Sequence, residues 1–233
     1  MSWSPSGNAI AFVDYSNNLH YRYAIKSTLD SIVDSRYRYN SGWTVAILFI
    51  FIFYRHSAES EDIQLTDTGE DGVIYNGIPD WVSEEEVFED NKALWWSPDG
   101  SRLVYGVFND TLVESVSLTR YGSWSKARPD KQGYPFLQYP ILETIKYPKA
   151  GTTNPGVALW AAVVGVRPGE RIAQHQLAAP ASLRGEAAHF SSVAWRDSST
   201  AAVIWMTRLQ NVSAITLCSI LDNTRCNHII NCP

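Results

Sequence analysis

The sequence is short of most groups that build metal sites, phosphate cradles and covalent frameworks. Among 233 residues there are three cysteines, Cys218, Cys226 and Cys232, all within the last 16 positions. Neither a zinc framework nor a dense disulfide scaffold can be assembled from them. No G-x-x-x-x-G-K, H-E-x-x-H or C-x-x-C sequence occurs, so no nucleotide, metal or other cofactor is assigned. Basic charge is also scarce: 19 Lys and Arg stand against 24 Asp and Glu, a net charge of −5. That balance excludes a protein that broadly neutralises phosphate, and no nucleic-acid partner is expected. The longest apolar run, Trp43 to Tyr54, has 12 residues, short of the ~20 that a membrane-spanning helix needs. It reads as a buried strand, with an interfacial segment or a translated non-coding stretch as the other readings. The first residues, Met1-Ser2-Trp3-Ser4-Pro5, do not lead a charged segment into an apolar one and do not read as a signal peptide.

Aromatic and apolar residues are plentiful, with nine Trp, twelve Tyr and 45% hydrophobic residues. The chain can therefore bury enough surface to offset its conformational entropy, and its composition leans towards strands. One phrase comes twice. Trp3-Ser-Pro-Ser-Gly7 precedes Asn8-Ala-Ile-Ala-Phe-Val13, and Trp96-Ser-Pro-Asp-Gly100 precedes Ser101-Arg-Leu-Val-Tyr-Gly-Val107. Proline presets φ at the second turn position and glycine accepts a positive φ near its end, so each copy folds the chain back between two strands. A weaker third copy runs from Ser192-Val-Ala-Trp195 through Arg196-Asp-Ser-Ser199 into Ala201-Ala-Val-Ile-Trp205. The Trp-to-Trp separations of 93 and 99 residues are each close to two blades of ~40–50 residues. Recurrent hairpins of this kind favour a β-propeller over a sandwich.

Charge is unevenly spread. Glu59 to Asp90 holds twelve acidic residues and no Lys or Arg, half of all the acids in 32 residues. Inside this block, Asp80 to Asn91 is the best short-helix candidate, with Ser83 preceding three glutamates. His20, His56, His175, His189 and His228 stand beside no recognisable nucleophile and read as surface or strand histidines.

The run Ile74-Tyr-Asn-Gly-Ile-Pro-Asp-Trp-Val-Ser-Glu-Glu-Glu-Val-Phe88, then Leu94-Trp-Trp-Ser-Pro-Asp-Gly100 and Phe108-Asn-Asp-Thr111, resembles the propeller domain of the dipeptidyl peptidase IV family. Further matches are Tyr147-Pro-Lys-Ala-Gly151 with Asn154-Pro155, and Arg208-Leu-Gln-Asn-Val-Ser213 leading to Cys218. The collinear set covers residues 1–22 and about 63–230.

The resemblance implies an eight-bladed propeller stacked on an α/β-hydrolase domain of a serine peptidase that releases amino-terminal Xaa-Pro and Xaa-Ala dipeptides. The expected fold is all-β: about half of such a propeller, with four-stranded blades and one short helix near 80–91. Residues 1–22 form a blade portion, 23–62 an atypical insertion and 63–233 further blades. Residues 23–62 stand where the family has a short connection, and read as unspliced or wrongly assembled sequence, or as a lineage-specific insertion. No G-x-S-x-G nucleophile turn is present, so no catalytic residue is assigned and the chain alone is expected to be inactive.

The resemblance gives the grip on the substrate's free amino terminus to Glu85 and Glu86. An ammonium has three donors, and paired carboxylates supply charge-assisted acceptors. Holding it limits how far a peptide enters, so that cleavage falls after the second residue. The residues alone leave a plainer reading open: Ser83-Glu-Glu-Glu86 also matches a capping box, and acids suit a helix's first turn. The sequence departs from the family at Ser83, where an aromatic residue is common.

Asn109-Asp-Thr111 and Asn211-Val-Ser213 are glycosylation sequons. Beside cysteines they fit an extracellular or luminal domain. The resemblance pairs Cys218 with Cys226, which leaves Cys232 without a partner. It further implies a cell-surface, type II membrane ectodomain whose anchor precedes this segment, peptide amino termini as partners, and a homodimer of the parent. Some relatives have lost the catalytic serine and act as potassium-channel auxiliary subunits; the residues present here suit them equally.

Overall fold

The computed structural model describes the backbone of residues 2–3, 9–13, 19–23 and 63–64, and residues 65–121, 140–164, 172–183, 188–221 and 224–232. Its strands form three four-stranded antiparallel meanders, which are blades of a partial β-propeller. The first blade is β1 (Ser2–Trp3), β2 (Ala9–Val13), β3 (Leu19–Tyr23) and β4 (Ile63–Gln64), in that order. Strand β3 pairs with β4 through His20 opposite Gln64 and Tyr21 opposite Ile63. The Trp43–Tyr54 run and most of the 23–62 segment lie outside the described residues.

The second blade has an interrupted first strand. Both β5 (Ile74–Asn76) and β6 (Leu94–Trp96) pair with one side of β7 (Arg102–Asn109). Asn76 lies opposite Val107 and Leu94 opposite Tyr105, so the two short strands are collinear halves of one strand with a break opposite Gly106. Beyond β7 come β10 (Gly156–Val163) and β11 (Gln174–Gln176). Between β7 and β10 the chain makes a separate ribbon of β8 (Ser115–Arg120) and β9 (Ile141–Lys146). The third blade is β12 (His189–Trp195), β13 (Thr200–Met206), β14 (Ser213–Ser219) and β15 (Arg225–Cys232).

All three recurrent tryptophans end the first strand of a blade. Trp3 lies opposite Ile10, Trp96 opposite Leu103 and Trp195 opposite Ala201. In the second copy, the Ser97 amide donates to the Arg102 carbonyl at 2.9 Å and Gly100 adopts φ +71°. Asp99 accepts the Ser101 amide at 3.1 Å, and in the third copy Asp197 accepts the Ser199 amide at 2.9 Å. An aspartate that binds the amide two residues on makes its own local turn, so the third copy works without the proline and glycine.

The core runs between the second and third blades. Val104, Phe108, Leu159, Ala161, Phe190, Val203 and Trp205 are buried in one cluster. At its centre Phe190 packs against Phe88, Trp95, Phe108 and Trp205, with ring centroids 5.5–6.0 Å apart. Polar groups fasten the same blades together: the Trp195 indole donates to the Trp95 carbonyl at 3.1 Å, and Arg102 Nε donates to the Ile220 carbonyl at 2.8 Å.

Candidate functional site

The break in the first strand of the second blade creates the site. Gly77 turns out of the strand at φ +74°, and the chain returns at Ala93 after fifteen intervening residues. Three backbone bonds close the gap. Gly77 N–H donates to the Gly106 carbonyl at 2.8 Å, Gly106 N–H donates to the Ala93 carbonyl at 2.9 Å, and Ala93 N–H donates to the Gly77 carbonyl at 3.1 Å. The sheet therefore keeps its pairing while residues 78–92 project from it as a loop. Gly106 is required by close approach: a Cβ there would meet the Phe108 ring at 2.8 Å and the Phe190 ring at 3.0 Å.

Within the loop, Asp80 is the extended residue before a short helix, α1 (Trp81–Ser83), which widens into a π turn over Glu84–Phe88. The Glu84 amide donates to the Asp80 carbonyl at 2.9 Å. Ser83 lies inside the helical segment at φ −72°, ψ −33°, buried, and its side chain caps nothing. The capping-box reading of Ser83 and Glu86 is thus not realised, because the helix begins three residues earlier. A π turn winds more residues per turn than an α-helix, so adjacent side chains diverge by less than the ~100° of α geometry. Glu89 ends the segment in the left-handed region at φ 51°.

Two aromatic contacts hold the loop. Phe88 reaches into the core against Trp95, Phe108 and Phe190. Trp81 packs edge-on against Tyr147, just beyond the ribbon, with centroids 5.2 Å apart.

Glu85 and Glu86 are both exposed, and neither forms an ion pair with a described residue. Glu84, Glu85, Glu89, Asp90 and Asn91 line an open hollow of about 440 Å³. The structure thus brings Glu85 together with Glu84 in the hollow, while Glu86 is exposed and is not among the residues that line it. Glu84 belongs to the glutamate cluster but carries no assigned role in the sequence, and Glu89, Asp90 and Asn91 carry only the signal of the acidic block and of the 80–91 helix candidate. Burial, then the charges of Glu85, Asp90 and Asp80, raise the Glu84 carboxyl above its ordinary range. The helical segment carries no basic residue in its last turn, so the hollow concentrates negative charge that a cation would relieve.

Two more carboxylates are buried, Asp80 at the start of the helical segment and Asp110 just after β7. Asp80 and Asp110 are each 1% exposed, and no oxygen of either completes a well-formed hydrogen bond. Burial raises Asp80, offset in part by the neighbouring Ser83 and backbone amides. Asp110 is pushed up to about 7 by burial and by Asp80, with Lys146 acting in the opposite sense. These positions carried no signal in the sequence beyond membership of D-W-V-S and of the N-D-T sequon.

The remaining assigned positions are distributed elsewhere. Asn109 and Asn211 are exposed. The Asn109 side-chain oxygen accepts from the Thr111 amide at 2.9 Å, and that of Asn211 accepts from the Thr207 hydroxyl at 3.0 Å. Cys218 and Cys226 face each other on β14 and β15 and are disulfide-bonded. Among the described residues no group of three His, Cys, Asp or Glu is arranged to hold a metal, and no helix is long and apolar enough to cross a membrane.

Comparison with known proteins supplies the context. Residues 50–231 match the family model described as the dipeptidyl peptidase IV (DPP IV) N-terminal region. Dipeptidyl peptidase 4 of Sus scrofa is 36% identical over 176 residues, covering 74% of this chain and 21% of the relative. Inactive dipeptidyl peptidase 10 of Mus musculus is 32% identical over 208 residues, covering 86% of this chain and 24% of the relative. The crystal structure of Porphyromonas gingivalis dipeptidyl peptidase 4 superposes with a TM-score of 0.61 at 23% identity, covering 94% of this chain and 23% of that one, a likeness of fold. The chain spans about a quarter of the length of the curated relatives it matches.

Proposed function

The chain belongs to the dipeptidyl peptidase IV family, as its N-terminal propeller region, and on that premise we propose that it binds the free amino terminus of a peptide substrate through Glu85 and Glu86. The observation that carries this reading is the extruded loop, with its exposed glutamates, its excess of acidic over basic residues and its anchored ends. A peptide ammonium brings one positive charge and three donors, and charge-assisted bonds to carboxylates are about twice as strong as neutral ones. The loop supplies acceptors but no nucleophile, so peptide-bond cleavage belongs to a hydrolase domain elsewhere in the parent protein. The same reading proposes the domain division as a blade portion at 1–22, an atypical insertion at 23–62 and further blades at 63–233.

The match to a relative named inactive favours a second reading, in which the parent lacks the catalytic serine and the propeller serves an auxiliary-subunit role. The two readings share this chain and differ at the nucleophile. The test of the first is equilibrium binding by the complete parent protein of a short peptide amide with a free amino terminus, against its N-acetylated counterpart. Selection of the free amine by 10-fold or more is expected; equal binding of the two would remove the proposal.

A further inference from the structure

Phe88 ties the far end of the helical segment to the core between the blades. The near end has a different support. Trp81, the first residue of α1, packs edge-on against Tyr147 with ring centroids 5.2 Å apart. The indole is 42% exposed, so no core encloses it, and the tyrosine ring gives it a wall. Tyr147 is itself well fixed. It follows β9, and its amide donates to the Glu114 carbonyl at 3.0 Å, which carries the ribbon's pairing one residue pair further. Beside it Lys146 Nζ donates to the Val113 carbonyl at 2.8 Å, and the Val113 amide donates to the Asp110 carbonyl at 2.9 Å. The base of the ribbon is thereby pinned to the end of β7.

We propose that Tyr147 is a positioning residue of the amino-terminus grip: through Trp81 it sets the rotation of the helical segment, and so the direction in which Glu85 meets a peptide ammonium. The proposal rests on that grip being the function of Glu85 and Glu86. Glu85 stands four residues after Trp81, and residues four apart on a helical segment are neighbours on one face. Turning the segment about its axis therefore moves Trp81 and Glu85 together. Phe88 alone would act as a pivot; the second support, on the ribbon and not in the core, removes that freedom. Tyr147 is not among the residues that line the hollow, so its effect runs through the indole. The contact is made by the ring, and phenylalanine should serve in its place. Such a contact biases the loop by no more than its own strength, which for an edge-to-face pair corresponds to roughly 2- to 10-fold in an equilibrium constant.

The test is equilibrium binding of the free-amine peptide amide and of its N-acetylated counterpart by the complete parent protein. Wild type is compared with Tyr147→Phe, Tyr147→Ala, Trp81→Ala and the double alanine variant. Y147A is expected to weaken free-amine binding roughly 2- to 10-fold and to leave binding of the acetylated peptide unchanged, while Y147F binds both as wild type does. W81A should lose as much as Y147A, and the double variant no more than either, because all three remove one contact. Hydrogen exchange in Y147A should accelerate across residues 78–92 and stay unchanged in β13. If Y147A does not fold, the free-amine selection and exchange of W81A, altered at an exposed ring, decide in its place. Free-amine selection in the alanine variants equal to that of wild type, or a loss shared equally by the two peptides, overturns this proposal alone. Equal binding of the two peptides by wild type overturns the grip and this proposal together.

Discussion

The amide of Gly77 donates to the carbonyl of Gly106 at 2.8 Å, across the point where the first strand of the second blade is cut. That bond lets the strand stop and resume without leaving the sheet unpaired. The fifteen residues between Gly77 and Ala93 are then free to carry chemistry rather than pairing. The glutamates consequently stand on a loop whose two ends are fixed by sheet hydrogen bonds and whose far turn is fixed by Phe88. A site supported at three places keeps its geometry better than one on an untethered loop.

Gly106→Ala tests the closure. Its methyl group would fall 2.8 Å from the Phe108 ring and 3.0 Å from the Phe190 ring, and neither ring can retreat from the aromatic cluster without disturbing its neighbours. Overpacking of this kind costs about 1–3 kcal/mol. Denaturant unfolding should show that loss, and binding of the free-amine peptide should weaken with it.

Phe88→Ala tests the anchor. Phe88 is half-buried against Trp95, Phe108 and Phe190, and its truncation is expected to cost about 2–3 kcal/mol, below the range for a fully buried aromatic. Hydrogen exchange of residues 78–92 should accelerate more than that of β13. Equal acceleration in both would show that the ring supports the fold generally and not the loop.

The Asp110 environment predicts a pH dependence of stability. Its folded-state pKa, near 7, lies above the unfolded value of 3.8, so between those values the native state holds more protons than the unfolded one. The contribution of this group to stability is therefore greatest below about pH 4 and is lost as pH rises to 7. The difference in Tm between wild type and Asp110→Asn, measured from pH 4 to 8, should follow that slope. A difference independent of pH would contradict it.

The bond between Cys218 and Cys226 joins directly opposed residues of β14 and β15, eight positions apart. Closing so short a loop is worth about 2–3 kcal/mol in the chain-entropy account. Cys226→Ser should lower stability by roughly that amount. Non-reducing peptide mapping should recover the Cys218–Cys226 fragment; a Cys226–Cys232 fragment would contradict the assignment.

Much of this architecture is legible in the sequence because hairpin turns are local. Trp96-Ser-Pro-Asp-Gly100 declares its fold through one proline and one glycine, and even Arg196-Asp-Ser-Ser199, which lacks both, keeps the aspartate that binds an amide two residues on. The strand break is less legible. Its two halves, Ile74–Asn76 and Leu94–Trp96, become one strand only through their common partner β7, and nothing within either segment announces that alignment. The helix lies within Asp80–Asn91 as the sequence suggests, but its first residue is not legible. Ser83 has the chemistry of a cap, but the chain enters the helix at Trp81, so Ser83 is already inside the turn. The acidic block showed where negative charge gathers. The burial of Asp80 and Asp110, 30 positions apart, was hidden because only the fold takes both out of solvent.

The central claim is that the extruded glutamates hold a peptide's free amino terminus. The most direct measurement is kcat/KM of the complete parent protein on an Xaa-Pro chromogenic substrate, for wild type, Glu85→Gln and Glu86→Gln, with folding verified by circular dichroism. If the parent is catalytically inactive, the same three proteins are compared by affinity for the free-amine peptide amide. Loss of a charge-assisted bond worth about 1.5–3 kcal/mol predicts a decrease of roughly 10- to 100-fold for each substitution. Folded variants whose kcat/KM or affinity equals that of wild type would contradict the account.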